Sequence, residues 1–196
     1  MCGIFSIINK NKNLCCKEYD NVIRENFTKG DKRGPESHTL LEQKGNYFGF
    51  HRLAINGFGN KESEQPIRKH DCILICNGEI YNWKYLNDIS KSQCNTGSDC
   101  EIILDLYFKY GIKQTLQMLD GVFSFIIYDN IKKQIIVGRD TFGIRPLFMC
   151  YMKEVGSKNI DMLYFASEIK SLVDICEYQE GKCFKELGTN ASFVKS

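Results

Sequence analysis

The 196-residue chain lacks most of the features that would assign it to a special class at once. It has no dominant charge: 26 basic residues face 24 acidic ones, for a formal net charge of +2. No run of like charges points to nucleic acid or to a membrane surface as a partner. No apolar stretch approaches the roughly 18 residues that a spanning helix needs. The opening Met-Cys-Gly-Ile-Phe-Ser-Ile-Ile-Asn-Lys has no basic segment ahead of a sufficiently long apolar one, so a secretory signal is not expected. There is no repeat, no low-complexity tract and no Pro/Gly/Ser linker. The default expectation is a soluble cytoplasmic protein of ordinary globular composition, 43% hydrophobic and 26% charged, long enough to bury one core.

Cysteine is the abundant exception, with ten copies. An even count invites a disulfide framework, but the pattern does not fit one. Cys15 and Cys16 are adjacent, Cys72, Cys76 and Cys150 fall in apolar runs, and no Cys-x-x-Cys pair exists. The three histidines are not at metal-ligand intervals. Free, buried cysteines and no metal are therefore expected.

Periodicity gives a strand-rich chain with a few helices. Strands are expected at Gly3–Asn9, Tyr47–Ile55, Asp71–Cys76, Val122–Asp129, Gln134–Arg139, Pro146–Met152 and Met162–Ala166. Helices are expected over Glu18–Lys29, over Ser98–Tyr110 with Ser98 and Glu101 at capping-box spacing and Gly111 as a stop, and shortly after Ser167. The tail over 178–196 is polar and aperiodic. Early and late strands with helices between them suggest a single α+β layered domain spanning 2–196.

Several positions carry possible chemistry. Removal of Met1 would leave Cys2 as the N-terminal residue, with an α-amine of pKa about 7.7–8 beside a thiol of about 8.5. Such an amine can act as general base for its own thiol. Taken alone, an incidental cysteine explains Met-Cys-Gly as well. Asn77-Gly78 follows an apolar strand and offers a side-chain amide beside an unobstructed backbone N–H, the two donors that an oxyanion hole requires. Taken alone, Asn-Gly is also a strong hairpin-turn signal. Arg52, inside Gly49-Phe-His-Arg-Leu-Ala-Ile55, could grip a carboxylate in bidentate fashion, or simply point out from a half-exposed strand. Asp99 could take an ammonium, or merely stabilise a helix start.

The segments also occur in one order: Cys2-Gly3-Ile4, Arg33-Gly34-Pro35, His51-Arg52-Leu53-Ala54-Ile55, Gln65-Pro66, Asn77-Gly78-Glu79-Ile80-Tyr81-Asn82, Gly97-Ser98-Asp99 and Leu119-Asp120-Gly121. They continue as Gly138-Arg139-Asp140, Gly143-Ile144-Arg145-Pro146-Leu147 and Ala166-Ser167-Glu168-Ile169-Lys170. This series, running to about Val173, resembles the class II glutamine amidotransferase domain of glutamine-hydrolysing asparagine synthetases.

The resemblance implies a four-layer α-β-β-α N-terminal-nucleophile hydrolase sandwich, two antiparallel sheets between helices. It implies Cys2 as nucleophile, with Asn77 and Gly78 as oxyanion donors. For glutamine binding it implies Arg52, Leu53, Ala54, Ile55, Asn56, Asn77, Gly78, Glu79 and Asp99. The implied reaction is glutamine hydrolysis through a thioester, needing no cofactor; ATP-Mg belongs to a synthetase domain. That domain's Ser-Gly-Gly-type phosphate loop is not found in this sequence, so either the chain is a fragment of a longer gene product or a separate synthetase chain is its candidate partner. Ammonia supply to a different acceptor, or a non-catalytic remnant, are the alternatives. The sequence departs from the family's usual pattern at Glu36, at Asn56-Gly57 and at Thr141.

Overall fold

The computed structural model describes residues 1–10, 20–53, 64–152 and 160–177, together with the strand backbones of 184–186 and 193–195. The chain divides into two compact units, Met1–Leu53 with Pro146–Leu187, and Ala54–Arg145 with Gly188–Ser196.

The first unit is built on a six-stranded antiparallel sheet in the order β10-β8-β9-β1-β3-β2. Its strands are β1 (Gly3–Asn9), β2 (Ser37–Gln43), β3 (Asn46–Arg52), β8 (Phe148–Met152), β9 (Met162–Ala166) and β10 (Phe184–Glu186). β1 lies in the interior of the sheet, paired with β3 on one side and β9 on the other. That explains its near-continuous apolar sequence, since both faces of a central strand can be covered. Phe5, Ile7, Tyr47, Cys150, Tyr164 and Ala166 point to one face. There they bury Ile23 and Phe27 of helix α1 (Asp20–Thr28), and Leu172 and Ile175 of α4 (Lys170–Glu177). Ile4, Ile8, Phe48, Phe50 and Phe165, on the alternate positions, are buried as well.

The second unit carries a five-stranded antiparallel sheet, β11-β7-β6-β5-β4. The strands are β4 (Ile67–Lys69), β5 (Cys72–Ile80), β6 (Gly121–Asp129), β7 (Gln134–Arg139) and β11 (Phe193–Lys195). One face, including Leu74, Cys76, Phe125 and Ile127, packs on helices α2 (Trp83–Ser90) and α3 (Ile102–Met118) through Leu86, Ile103, Leu106 and Tyr107. α3 is broken where a stop was expected. Gly111 has φ 75° and ψ 165°, outside helical geometry, and a further helical segment continues from there to Met118.

Several elements are not legible in the residue pattern. β2 is a half-exposed edge strand without clean alternation, β4 has three residues, the Asn82 side chain does not cap α2, and the polar tail contributes the three-residue strands β10 and β11. The expected capping box also differs. The Ser98 side chain accepts from Cys100 N, but Glu101 turns to the Thr96 backbone N–H and hydroxyl instead of reaching back to Ser98. Cys2, Cys72, Cys76, Cys94, Cys100 and Cys150 are free thiols. Burial pushes Cys72 and Cys94 up to about 12, which leaves them inert as nucleophiles at neutral pH. Among the described residues, no helix is long and apolar enough to cross a membrane.

Candidate functional site

In the first unit the sequence-predicted residues Cys2, Arg52 and Leu53 come together. Gly3 pairs with His51, and one further step along that register sets Cys2 opposite Arg52. The Cys2 thiol donates to the Leu53 carbonyl at 3.2 Å and accepts from the Leu53 N–H at 3.4 Å. Alternation places Arg52 on the face of β3 that carries Phe48 and Phe50, and it is 9% exposed, so it does not point out into solvent. Its carbonyl accepts from Glu36 N at 3.1 Å, and Pro35 bridges to it in parallel fashion. Ala54, Ile55 and Asn56, also proposed from the sequence, lie outside the described residues.

Arg33 is a participant that sequence reasoning quoted only as part of a motif. Its Nε donates to the Cys2 carbonyl at 2.9 Å, and its Nη1 lies 3.8 Å from Glu168 Oε1. The approach depends on Gly34, where any Cβ would come within 2.3 Å of the His51 carbonyl carbon. The Arg-Gly-Pro run is thus a crossing point: the glycine lets the chain pass tightly over β3 and the arginine reaches back to the Cys2 backbone. Ser167, three residues before α4, accepts from Ile4 N at 3.0 Å through its hydroxyl and fixes the start of β1 from the other side.

His51 faces the helices. It stacks on Phe27 at 4.2 Å between ring centroids, and burial pushes its pKa down to about 4, so the imidazole is neutral at pH 7. The sequence spacing gave no reason to pair histidines. The β2–β3 register nevertheless puts His38 directly opposite His51, with Asp31 near both.

In the second unit Asn77 and Gly78 lie inside β5, with Asn77 opposite Ser124 and Gly78 opposite Phe123. The hairpin-turn alternative is therefore excluded. The strand continues to Ile80 because β6 pairs along its whole length. Asn77 is 1% exposed, and its amide nitrogen has no hydrogen-bond partner among the described residues. Leaving a buried donor unsatisfied costs roughly 1–3 kcal/mol, and such a group invites a functional explanation.

The backbone at Gly78 is arranged in the same spirit. Cys76 N donates to Gln65 Oε1 at 2.6 Å and Ile80 N donates to Asp99 Oδ2 at 2.7 Å, both away from β6. Strand alternation aims the Gly78 N–H the same way, into the interval between them. Phe123, opposite Gly78, uses its own carbonyl to accept from Asp140 N at 2.8 Å. A side chain at position 78 would meet the Val122 carbonyl at 2.4 Å, so only glycine fits.

Asp99, at the first position of a 3-10 turn (Asp99–Glu101), is 7% exposed. Burial, with the nearby Glu79 charge, raises its pKa above the ordinary 3.8, opposed by the Ile80 N–H bond. Glu79 is half-buried, on the same face of β5 as Asn77.

A family model described as a glutamine amidotransferase domain matches residues 1–189. Glutamine-hydrolysing asparagine synthetases are similar in sequence. That of Mesocricetus auratus is 41% identical and that of Homo sapiens 40% identical, each over 183 residues covering 89% of this chain and 30% of the relative. The chain thus spans about 30% of the length of these curated relatives. Among solved structures, glutamine phosphoribosylpyrophosphate amidotransferase from B. subtilis, complexed with ADP and GMP, matches with a TM-score of 0.61 at 21% identity, over 94% of this chain and 45% of that one. A structure described as the allosteric regulatory enzyme of purine biosynthesis matches with a TM-score of 0.62 at 20% identity, over 94% and 44%. At such identities these two speak for the fold alone, an α+β fold with two antiparallel sheets. The chain belongs to the family of glutamine amidotransferase domains.

Proposed function

We propose that Cys2 is the nucleophile of this domain and that its product, ammonia, serves asparagine biosynthesis in a full-length or partnered enzyme. The single observation carrying the reading is the placement of the Cys2 thiol at the end of β3, against Leu53 and one cross-strand step from the buried Arg52. Met1 is 51% exposed, within reach of the aminopeptidase that would free the Cys2 amine.

In the proposed reaction the amine takes the thiol proton and the thiolate attacks the γ-carbonyl carbon of glutamine. The carbonyl π electrons move onto oxygen, where the Asn77 amide and the Gly78 N–H are the proposed donors. Collapse breaks the C–N bond, the leaving nitrogen takes the proton from the Cys2 ammonium, and ammonia departs, leaving a γ-glutamyl thioester. Water then attacks the same carbon and glutamate leaves as the thiol re-forms. The roles proposed for binding are Arg52 on the α-carboxylate, Glu79 and Asp99 on the α-ammonium, and the backbone from Leu53 through Ala54 and Ile55 to Asn56 along the pocket. Neither half-reaction calls for a metal or a cofactor; ATP-Mg would act only where a synthetase domain activates the acceptor. A cytoplasmic location is part of the same proposal.

The test is covalent capture. A glutamine-analogue electrophile should add one equivalent to the chain, peptide mapping should place it on an N-terminal Cys2, and glutamine should protect. Adduct on any other cysteine, or none at all, would refute the assignment. An assay with glutamine, aspartate and ATP-Mg, following glutamate and asparagine separately, addresses the acceptor.

A further inference from the structure

A cluster in the first unit is not used by the reaction: Asp31 in a 3-10 turn (Asp31–Arg33), His38 on β2 and His51 on β3. We propose that Asp31, His38 and His51 form a site for one divalent transition-metal ion of the zinc class. The three residues are brought together by the fold rather than by sequence spacing. His38 and His51 are direct partners in the β2–β3 ladder, so their side chains emerge on one face. The rings are 5.4 Å apart between centroids, edge to face, and the turn preceding β2 lays Asp31 against both.

The distances suit an ion. Asp31 Oδ1 is 3.3 Å from His51 Nε2 and 3.5 Å from His38 Nδ1, and the candidate ligand atoms all lie within 4.8 Å of one another. Bond lengths of about 2.0–2.1 Å around a tetrahedral zinc give ligand–ligand separations of about 3.3–3.4 Å. The Asp31 carboxylate and the His51 imidazole are in ion-pair contact at 3.3 Å. Among the described residues, Asp31 Oδ1 and His51 Nε2 are buried atoms to which no hydrogen-bond partner is assigned. The His51 side chain is only 3% exposed, so its Nε2 is an unpartnered polar atom enclosed by protein and aimed at the other two donors.

The imidazole is anchored from behind, and the site has a side open to solvent. The His51 ring is stacked on Phe27 and donates a ring N–H to the Phe27 backbone carbonyl, the usual means of fixing a ligating imidazole. The His38 and Asp31 side chains are 36% and 44% exposed, leaving a solvent side for entry and for a water ligand. Two imidazoles and one carboxylate favour zinc, cobalt, nickel or copper over calcium or magnesium, which prefer all-oxygen sets.

A second cluster of similar composition, Cys94, Glu101 and Asp105, offers no such opening. Lys69 Nζ already sits at 2.8 Å from Glu101 and 2.8 Å from Asp105. A metal at the histidine site would tie the Asp31 turn to the β2–β3 ladder. Arg33, which donates to the Cys2 carbonyl, belongs to that turn. The site's role is therefore structural, steadying the ground on which the Cys2 backbone is held.

The experiment is optical titration of the chelator-treated chain with cobalt(II), followed by displacement with zinc and by calorimetry. The expected result is one tight equivalent of cobalt with visible d–d bands but no thiolate-to-cobalt charge transfer, displaced by zinc and raising Tm. His38→Ala, at a half-exposed strand position, should remain folded by circular dichroism and weaken binding by at least about 10-fold. Asp31→Asn should do likewise, as a second variant with near-identical shape. The proposal is overturned if both folded variants bind cobalt as the parent chain does, if all bound cobalt shows thiolate bands, or if the parent chain binds none.

Discussion

Cys2 is held by both backbone groups of Leu53, donating its thiol to the carbonyl at 3.2 Å and accepting the N–H at 3.4 Å. Main-chain groups thus take part in holding the thiol. A change at position 2 removes reactivity while leaving the sheet intact, because the pairing of β1 begins only at Gly3. Cys2→Ala and Cys2→Ser should release no measurable ammonia from glutamine and should unfold at nearly the parent temperature. Comparable turnover by Cys2→Ala would end the nucleophile assignment.

Arg52 and Asp99 carry charges proposed to meet the two ends of an amino-acid substrate. Such contacts exist before and during the reaction, so losing one acts on binding more than on the chemical step. Arg52→Ala should raise KM strongly with a smaller change in kcat. Asp99→Asn is the better partner variant, because the amide oxygen can still accept from the Ile80 N–H, whereas alanine would leave that buried donor orphaned. Steady-state kinetics separates the two parameters.

Asn77 is the opposite case. Its amide nitrogen has no hydrogen-bond partner among the described residues, and the interaction proposed for it is one that strengthens as charge develops on oxygen. Asn77→Ala should lower kcat by about 10²–10³-fold with little change in KM. A pure KM effect would argue against an oxyanion role. Since the variant removes an unsatisfied buried donor, its Tm should not fall by more than the lost packing explains.

Glu101 supplies a pH dependence. Burial alone would raise its pKa, but the Lys69 ammonium and the Thr96 N–H and hydroxyl outweigh burial and hold the carboxyl below the ordinary 4.5. A depressed carboxyl stabilises the fold fully above the unfolded pKa of 4.5, and that contribution is lost as pH falls through the lower folded value. Denaturant unfolding across this acid range should show stability declining with pH, and Glu101→Gln should flatten that part of the decline while lowering stability at neutral pH.

Much of this organisation could be read from the residues, and the failures have identifiable causes. β1, β7 and β9 have the expected bounds because each is an apolar run closed off by turn residues. β5 was cut short at Cys76 because Asn-Gly reads locally as a turn, whereas pairing with β6 carries the strand on to Ile80. Tertiary pairing overrides a local turn preference at that point. β2 escaped because Ser37-His-Thr-Leu-Leu-Glu-Gln43 is half-exposed along nearly its whole length. Missing β2 also hid the His38–His51 pair, which exists only in its register with β3. Cys2, Arg52 and Asn77 were singled out by residue type and order, but the hold of Arg33 on the Cys2 carbonyl requires knowing that the chain crosses β3 at Gly34.

Asp140, buried after the end of β7, receives four backbone N–H groups through its carboxylate, from Phe123, Phe142, Ile144 and Arg145. Arg139 adds bonds from its guanidinium to the carbonyls of Gly143 and Arg145. The loop so wired displays Phe142 and Ile144 openly to solvent. In deuterium labelling this segment should therefore behave unlike other exposed turns: the amides of Phe142, Ile144 and Arg145 should resist exchange, and then give way together when the one carboxylate that collects them lets go.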